Sequence, residues 1–200
     1  MREIASWQVL DSTISYEDRW LRVRTDRCIT SEGKIIDAWH VLECSTWVNV
    51  LALTSSGQLV LVREYRHGVG QVLLGLPGGA VNGPDELPLV AIQRELLEET
   101  GYGGGQFFEI GHSYVNPGRQ DNSVYSFLAL DVVQSQEQQL DETEDIEIVL
   151  QDLYNFSREV WSGEIALQAL YLATLGFATN FILKSDLPQL RMVRKRGENN

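Results

Sequence analysis

Two cysteines, Cys28 and Cys44, are all the chain has, and neither belongs to a Cys-x-x-Cys pair or a histidine-rich cluster. That excludes a disulfide-framed miniature domain and leaves two reduced, partly buried thiols as the expectation. Positive charge is also scarce: 16 lysines and arginines stand against 28 acidic residues, giving a formal net charge of −12 and a pI of about 4.6. Such a field repels phosphate backbones, so nucleic acid is not an expected partner. It repels a small phosphorylated substrate equally, unless cations gather where that substrate binds. The opening stretch MREIASWQVLDSTISYEDRW lacks the apolar run of a secretory signal. Between Glu164 and Lys184 no residue is charged, and that length approaches a bilayer span. Gln168, Thr174, Gly176, Thr179 and Asn180 interrupt it, however, and mean hydropathy is −0.15. A buried or dimer-packed helix in a cytoplasmic protein without a membrane partner is the expectation.

What remains is ordinary globular material. The 200 residues, 44% hydrophobic and 22% charged, fit one domain with a small extension. WLRVRTDRCI, a turn at Ser31–Gly33 and KIIDAWHVLE alternate like a half-exposed antiparallel hairpin, and VNVLALT and QLVLVREYR look like buried strands. A glycine-rich loop leads to a helix from about Leu87 to Thr100. Asp85 or Glu86 suits its positive end, Pro88 its first turn, and Gly101 its stop. Further strands fall at FFEIGHSYV, SVYSFLAL and DIEIVL, and helical segments run from about Asn155 to Leu183. A basic tail, RMVRKRGENN, reads as solvated. Strands and helices without strict alternation indicate an α+β fold, or a sheet sandwiched between helices.

The most informative segment is Arg94–Gly101, RELLEETG. Glu95, Glu98 and Glu99 stand at i, i+3 and i+4, so their carboxylates share one helix face, while Leu89, Ile92 and Leu96 are placed to pack inward. Like charges so spaced cost a helix roughly 0.2–0.5 kcal/mol per pair. Clustered hard oxygen donors, with only Arg94 for relief, are what Mg2+ or Mn2+ requires. Three glutamates alone would equally make a solvated acidic face.

Their surroundings decide between the two. From Gly79 to Tyr102 the chain resembles the Nudix box, G-x5-E-x7-R-E-U-x-E-E-x-G-U, with Glu86, Arg94, Glu95, Leu96, Glu98, Glu99 and Gly101 in place. It departs from it twice: six residues separate Gly79 from Glu86, and the final bulky position is Tyr102. The resemblance implies the Nudix fold, a mixed β-sheet sandwiched between helices, over residues 46–200. A small antiparallel β region over 1–45 would serve dimerisation and base stacking. It also implies hydrolysis of a nucleoside diphosphate linked to another group. Glu95, Glu98 and Glu99 would hold the divalent ions, Gly78 would add a carbonyl, and Arg94 would orient the glutamates. Such ions would also answer the charge problem.

Other segments resemble the ADP-ribose and ADP-sugar branch of that family. Pro117, 16 residues beyond Gly101, lies in Val115–Gly118, which is similar to that branch's proline-glycine segment, although Asn122 and Ser123 stand where an acidic residue is common. Asp141–Ile146 looks like the branch's mobile acidic loop, in which Glu142 would be the general base and Glu144 a metal contact, or the reverse. Arg63–Arg66 resembles V-x-Q-Y-R. Arg66, Arg63 and Arg119 would then hold phosphate, although an ordinary surface role suits each arginine equally. Trp20 and Trp39 would stack on the base unless they are core tryptophans. The resemblance implies a homodimer with shared sites. The substrate would be ADP-ribose or a related ADP-sugar, split to AMP and a sugar phosphate. A GDP-mannose or broad nucleotide-sugar pyrophosphatase is the alternative, and a non-catalytic metabolite sensor a third.

Overall fold

The computed structural model describes residues 4–191 and 193, so most of the basic C-terminal tail lies outside the described residues. Two compact units divide the chain: Met1–Ser45 with Tyr114–Ser123, and Thr46–Ser113 with Val124–Asn200.

The smaller unit is built on an antiparallel sheet of β1 (Gln8–Glu17), β2 (Arg22–Ile29) and β3 (Ile35–Glu43), in that order. The alternation of the last two is visible in the sequence. β1 is not, because all ten of its residues are exposed and no apolar face distinguishes it. The 114–123 segment joins this unit through backbone hydrogen bonds from Leu42 to Arg119 (2.8 Å) and from Asp121 to Leu42 (3.4 Å).

The larger unit holds a mixed eight-stranded sheet. Its centre is β4 (Trp47–Thr54), antiparallel to β5 (Gln58–Arg66) and parallel to β10 (Ser123–Gln134). β11 (Ile146–Asp152) and β6 (Gln71–Gly75) pair with β5, β7 (Gly78–Ala80) with β4, and β8 (Tyr102–Gly103) and β9 (Gln106–Tyr114) with β10. The stretch read as a glycine loop therefore contains two short strands, β6 and β7.

Strand alternation sends side chains to opposite faces, and here both faces are covered. Val48, Val50, Ala52 and Val60 meet Ala91, Ile92 and Leu96 of α1 (Pro88–Thr100). Leu51, Leu53, Leu59 and Leu61 meet Phe156 of α2 (Leu153–Trp161) and Leu175, Ala178 and Ile182 of α3 (Ala169–Lys184). Each fully buried Leu, Ile or Phe contributes roughly 1.5–3 kcal/mol. Leu89, expected to pack inward, is instead 42% exposed, because the inward stripe of α1 runs through Ala91, Ile92 and Leu96. No described helix is long and apolar enough to cross a membrane; the charge-free stretch forms α3, whose Tyr171, Thr174, Leu175, Ala178 and Ile182 face the sheet. The Thr174 hydroxyl donates to Asn49 Oδ1 (2.5 Å) and is hydrogen-bonded to Ser126 (2.7 Å), which fixes α3 against β4 and β10.

Candidate active site

α1 begins as its sequence requires: Leu87 is extended and Pro88 supplies a preset φ in the first turn. It stops at Gly101, whose φ of 69° is a left-handed conformation and whose N–H donates to the Leu97 carbonyl (2.8 Å). Asp85 and Glu86 do not serve the helix dipole, since no acidic residue occupies the first turn. Glu86 turns back instead to the far end of the acidic face.

That face is organised by one guanidinium. Arg94 Nε donates to Glu86 Oε1 (3.0 Å), Nη1 to Glu95 Oε1 (2.9 Å) and Glu98 Oε2 (3.0 Å), and Nη2 to the Ala80 carbonyl (3.2 Å). Three carboxylates and a carbonyl are thus held by a planar donor fork. Hydrogen bonds to Glu86 above all raise the Arg94 pKa still further, and the same pair lowers that of Glu86. The extra residue before Glu86 is absorbed in the turn over 81–87, where the Asn82 N–H donates to Glu86 Oε2 (2.5 Å).

Glu99 lies beneath, 6% exposed, and its Oε2 accepts the Gly78 N–H (2.9 Å). Burial first, and neighbouring carboxylates after it, push its pKa well above the ordinary range; burial likewise raises Glu95. Gly78 runs so close to β4 that a Cβ there would strike the Val48 carbonyl. At Gly79 a Cβ would come within 2.5 Å of the Glu95 carboxyl group.

Glu64 is not among the residues the sequence singles out. It alternates with Arg66 along β5, so a period of two puts both on one face of the strand, and that spacing was the available signal. Arg66 pairs with Glu64, and its Nη2 donates to the Tyr171 hydroxyl of α3 (3.3 Å). Burial raises the pKa of Glu64, and pushes that of Tyr171 up to about 12. The charge of Glu144 bears on Glu64, Glu95 and Glu99 alike, so these four carboxylates form one electrostatic cluster. Glu144 itself accepts the Asp141 N–H (3.0 Å), closing the acidic loop on itself, while Glu142 is exposed in the same turn.

Among the described residues no three carboxylate, imidazole or thiol groups already converge as ligands, and Glu95 and Glu98 are both hydrogen-bonded to Arg94. The donor set nonetheless suits a hard divalent cation. Buried carboxylates that repel one another and hold raised pKa values gain most from a cation that neutralises them.

The other candidates lie elsewhere. Arg63 faces the opposite way on β5 and donates to Glu147 of β11 (2.5 Å), half-exposed. Trp20, Trp39 and Arg119 belong to the smaller unit. There the Arg119 guanidinium lies 4.7 Å from the Trp39 ring and Trp7 meets that ring edge-on at 5.3 Å, a contact the sequence did not suggest. Trp20 is 70% exposed, with the Arg19 guanidinium 4.0 Å over its face.

Comparison with known proteins places this geometry. The pattern described as NUDIX domain matches residues 46–165, and that described as nucleoside diphosphate sugar hydrolase N-terminal domain matches residues 7–42. An ADP-ribose pyrophosphatase of Bacillus subtilis (strain 168) is 34% identical over 131 residues, covering 62% of this chain and 70% of its own. An ADP-ribose pyrophosphatase of Mycobacterium tuberculosis is 27% identical over 164 residues, covering 78% and 79% respectively. The fold matches a solved structure titled "Crystal structure of ADP compounds hydrolase" with a TM-score of 0.79 at 19% identity, over 91% of this chain and 97% of that one.

Proposed function

The chain belongs to the Nudix family as a pyrophosphatase, and from that premise we propose that it hydrolyses the pyrophosphate of ADP-ribose or a related ADP-sugar to AMP and a sugar phosphate. The observation that carries this reading is the acidic face of α1, gathered by Arg94 and joined by Glu64 and Glu144 into one partly buried cluster. The two ADP-ribose pyrophosphatases among its relatives, and the N-terminal match to nucleoside diphosphate sugar hydrolases, support the substrate class.

Glu95, Glu98, Glu99 and Glu144, with the Gly78 carbonyl, would hold Mg2+ or Mn2+. A divalent cation held there would supply neutralisation of the phosphate charge and activation of a water molecule. Arg94 orients Glu95 and Glu98. Arg66, fixed by Glu64 and Tyr171, presents its guanidinium to a phosphate. The acidic loop supplies the base that takes a proton from water. Glu142 is the first candidate for that role and Glu144 the second, and the coupling of Glu144 to the cluster favours a metal-side place for it. Trp20 and Trp39 stack on the base, with Arg119 beside Trp39. Arg63, tied to Glu147, has a place in the phosphate site only if that pair opens. We further propose a cytoplasmic homodimer.

Purified protein with Mg2+ is incubated in parallel with ADP-ribose, ADP-glucose, GDP-mannose and NADH, and the products are separated by chromatography. AMP release from ADP-ribose, lost in Glu99→Gln, is the expected result. Dominant GMP release from GDP-mannose would move the assignment to the broader nucleotide-sugar class. Tight binding without turnover would overturn the catalytic reading.

A further inference from the structure

The metal-side glycines carry a second surface. Gly78 and Gly79, which receive Glu99 and Glu95 on one side, also line a cavity of about 210 Å³ together with Trp47, Arg66, Gln168 and Tyr171. Its walls are of two kinds. The Trp47 and Tyr171 side chains offer aromatic surface. The Arg66 guanidinium and the Gln168 side-chain amide offer hydrogen bonds. No carboxylate lines it. The Gln168 side chain, at the start of α3, makes no capping hydrogen bond to the helix. Donors in a cavity wall suit a ligand rich in hydroxyl oxygens, and aromatic faces carry negative potential that meets the C–H faces of a sugar ring.

A second cavity, of about 540 Å³, lies beyond Arg66 and Gln168, with Val69, Leu73, Ala166 and Leu167 in its wall. Arg66 and Gln168 line both spaces, so these two side chains stand between them. The first space, at about 210 Å³, is below the roughly 300 Å³ at which pockets for drug-sized ligands begin, a size that suits a single sugar ring.

Resting on the function proposed above, we infer that the cavity walled by Trp47, Tyr171, Arg66 and Gln168 is the subsite for the sugar of the leaving sugar phosphate, and that Gln168 with Arg66 sets how large the leaving group can be. Trp47 and Gln168 are then specificity-determining residues. The phosphate stays with the metal-side glycines and Arg66, and the ring stacks on Trp47 within reach of the Gln168 amide.

Calorimetric titrations with ribose 5-phosphate, inorganic phosphate and AMP, in the presence of Mg2+, compare the wild type with Trp47→Ala, Trp47→Phe and Gln168→Ala. Trp47→Ala is expected to weaken ribose 5-phosphate about tenfold while leaving phosphate and AMP unchanged. Trp47→Phe keeps an aromatic face and is expected to recover most of that loss, which separates stacking from misfolding. Gln168→Ala changes an exposed side chain and is expected to raise kcat/KM for NADH relative to ADP-ribose about fivefold, by joining the two spaces. Loss of AMP affinity in Trp47→Ala, with ribose 5-phosphate unaffected, would assign the cavity to the base and overturn the inference. Unchanged binding of all three ligands would overturn it as well. If the wild type hydrolyses no ADP-sugar, the underlying function fails first. If it does and the variants behave like wild type, only this subsite fails.

Discussion

β4 and the first half of β5 bury both of their faces, whereas β1 buries neither. In the larger unit Val48, Val50, Ala52 and Val60 meet α1 on one side, and Leu51, Leu53, Leu59 and Leu61 meet α2 and α3 on the other. In the smaller unit Val9, Leu10, Ile14 and Tyr16 of β1 are all more than 40% exposed. The same residue types have opposite fates. A strand buried on both faces has its register fixed by packing, while β1 holds its place chiefly through pairing with β2. Packing thus holds the larger unit's sheet rigid, whereas the smaller unit leaves apolar residues of β1 open.

The widest effect is expected within the rigid unit. Glu99→Gln should lower AMP release from ADP-ribose by about 10³-fold or more, with the fold kept, since it removes a buried charge and no packing. An activity within tenfold of wild type would show that the buried cluster is not the catalytic centre. Next come Glu142→Gln and Glu144→Gln. The variant that lacks the base should lose about 10²–10⁴-fold in kcat, and the other should chiefly raise the Mg2+ concentration required. A Mg2+ titration of both variants separates the roles.

The smaller unit should respond in binding and assembly rather than chemistry. Trp20→Ala is expected to raise KM about tenfold with kcat retained. Ile14→Glu on β1 should shift the mass in light scattering from twice 22.6 kDa toward 22.6 kDa. A wild-type protein that already sedimented as one chain would remove the dimer from the proposal.

The smallest effect is one of pH. Burial raises the pKa values of Glu64, Glu95 and Glu99 above 4.5. A folded-state pKa above the unfolded value gives stability that is present at low pH and lost as pH rises through the raised value. Metal-free protein should thus lose a few degrees of Tm as pH rises above the ordinary glutamate range. Mg2+ should reverse that slope, and Glu99→Gln should flatten it. Melting curves in EDTA and in Mg2+ measure both.

How far the sequence discloses all this depends on the range of the interaction. Glu95, Glu98 and Glu99 are legible because i, i+3, i+4 is a local rule, and the two faces of β4 and β5 follow from their apolar runs. Glu64 and Arg66 obeyed an equally local rule, but a single glutamate in a strand does not announce what it faces. Leu89 shows the limit of periodicity: the helix stripe was right in kind and wrong in which edge it included. β1 was missed because exposure on both faces erases the pattern that marks a strand. That 114–123 belongs with the smaller unit rests on hydrogen bonds to Leu42, far away in the chain, and no local signal encodes it. Asn122 fits that account: its side chain donates to the Ser45 carbonyl (2.9 Å), a tie within the smaller unit.

Gly79 is glycine for want of space. Its backbone is not left-handed, so the chain itself would accept alanine there. The occupant of the missing side chain's volume is the carboxyl group of Glu95. One methyl group at position 79 would thus displace the carboxyl group of a residue sixteen positions away, while leaving the helix that carries it intact. Loop and helix are in this sense a single part cast in two pieces, since the space one leaves open is the space the other's carboxyl group fills.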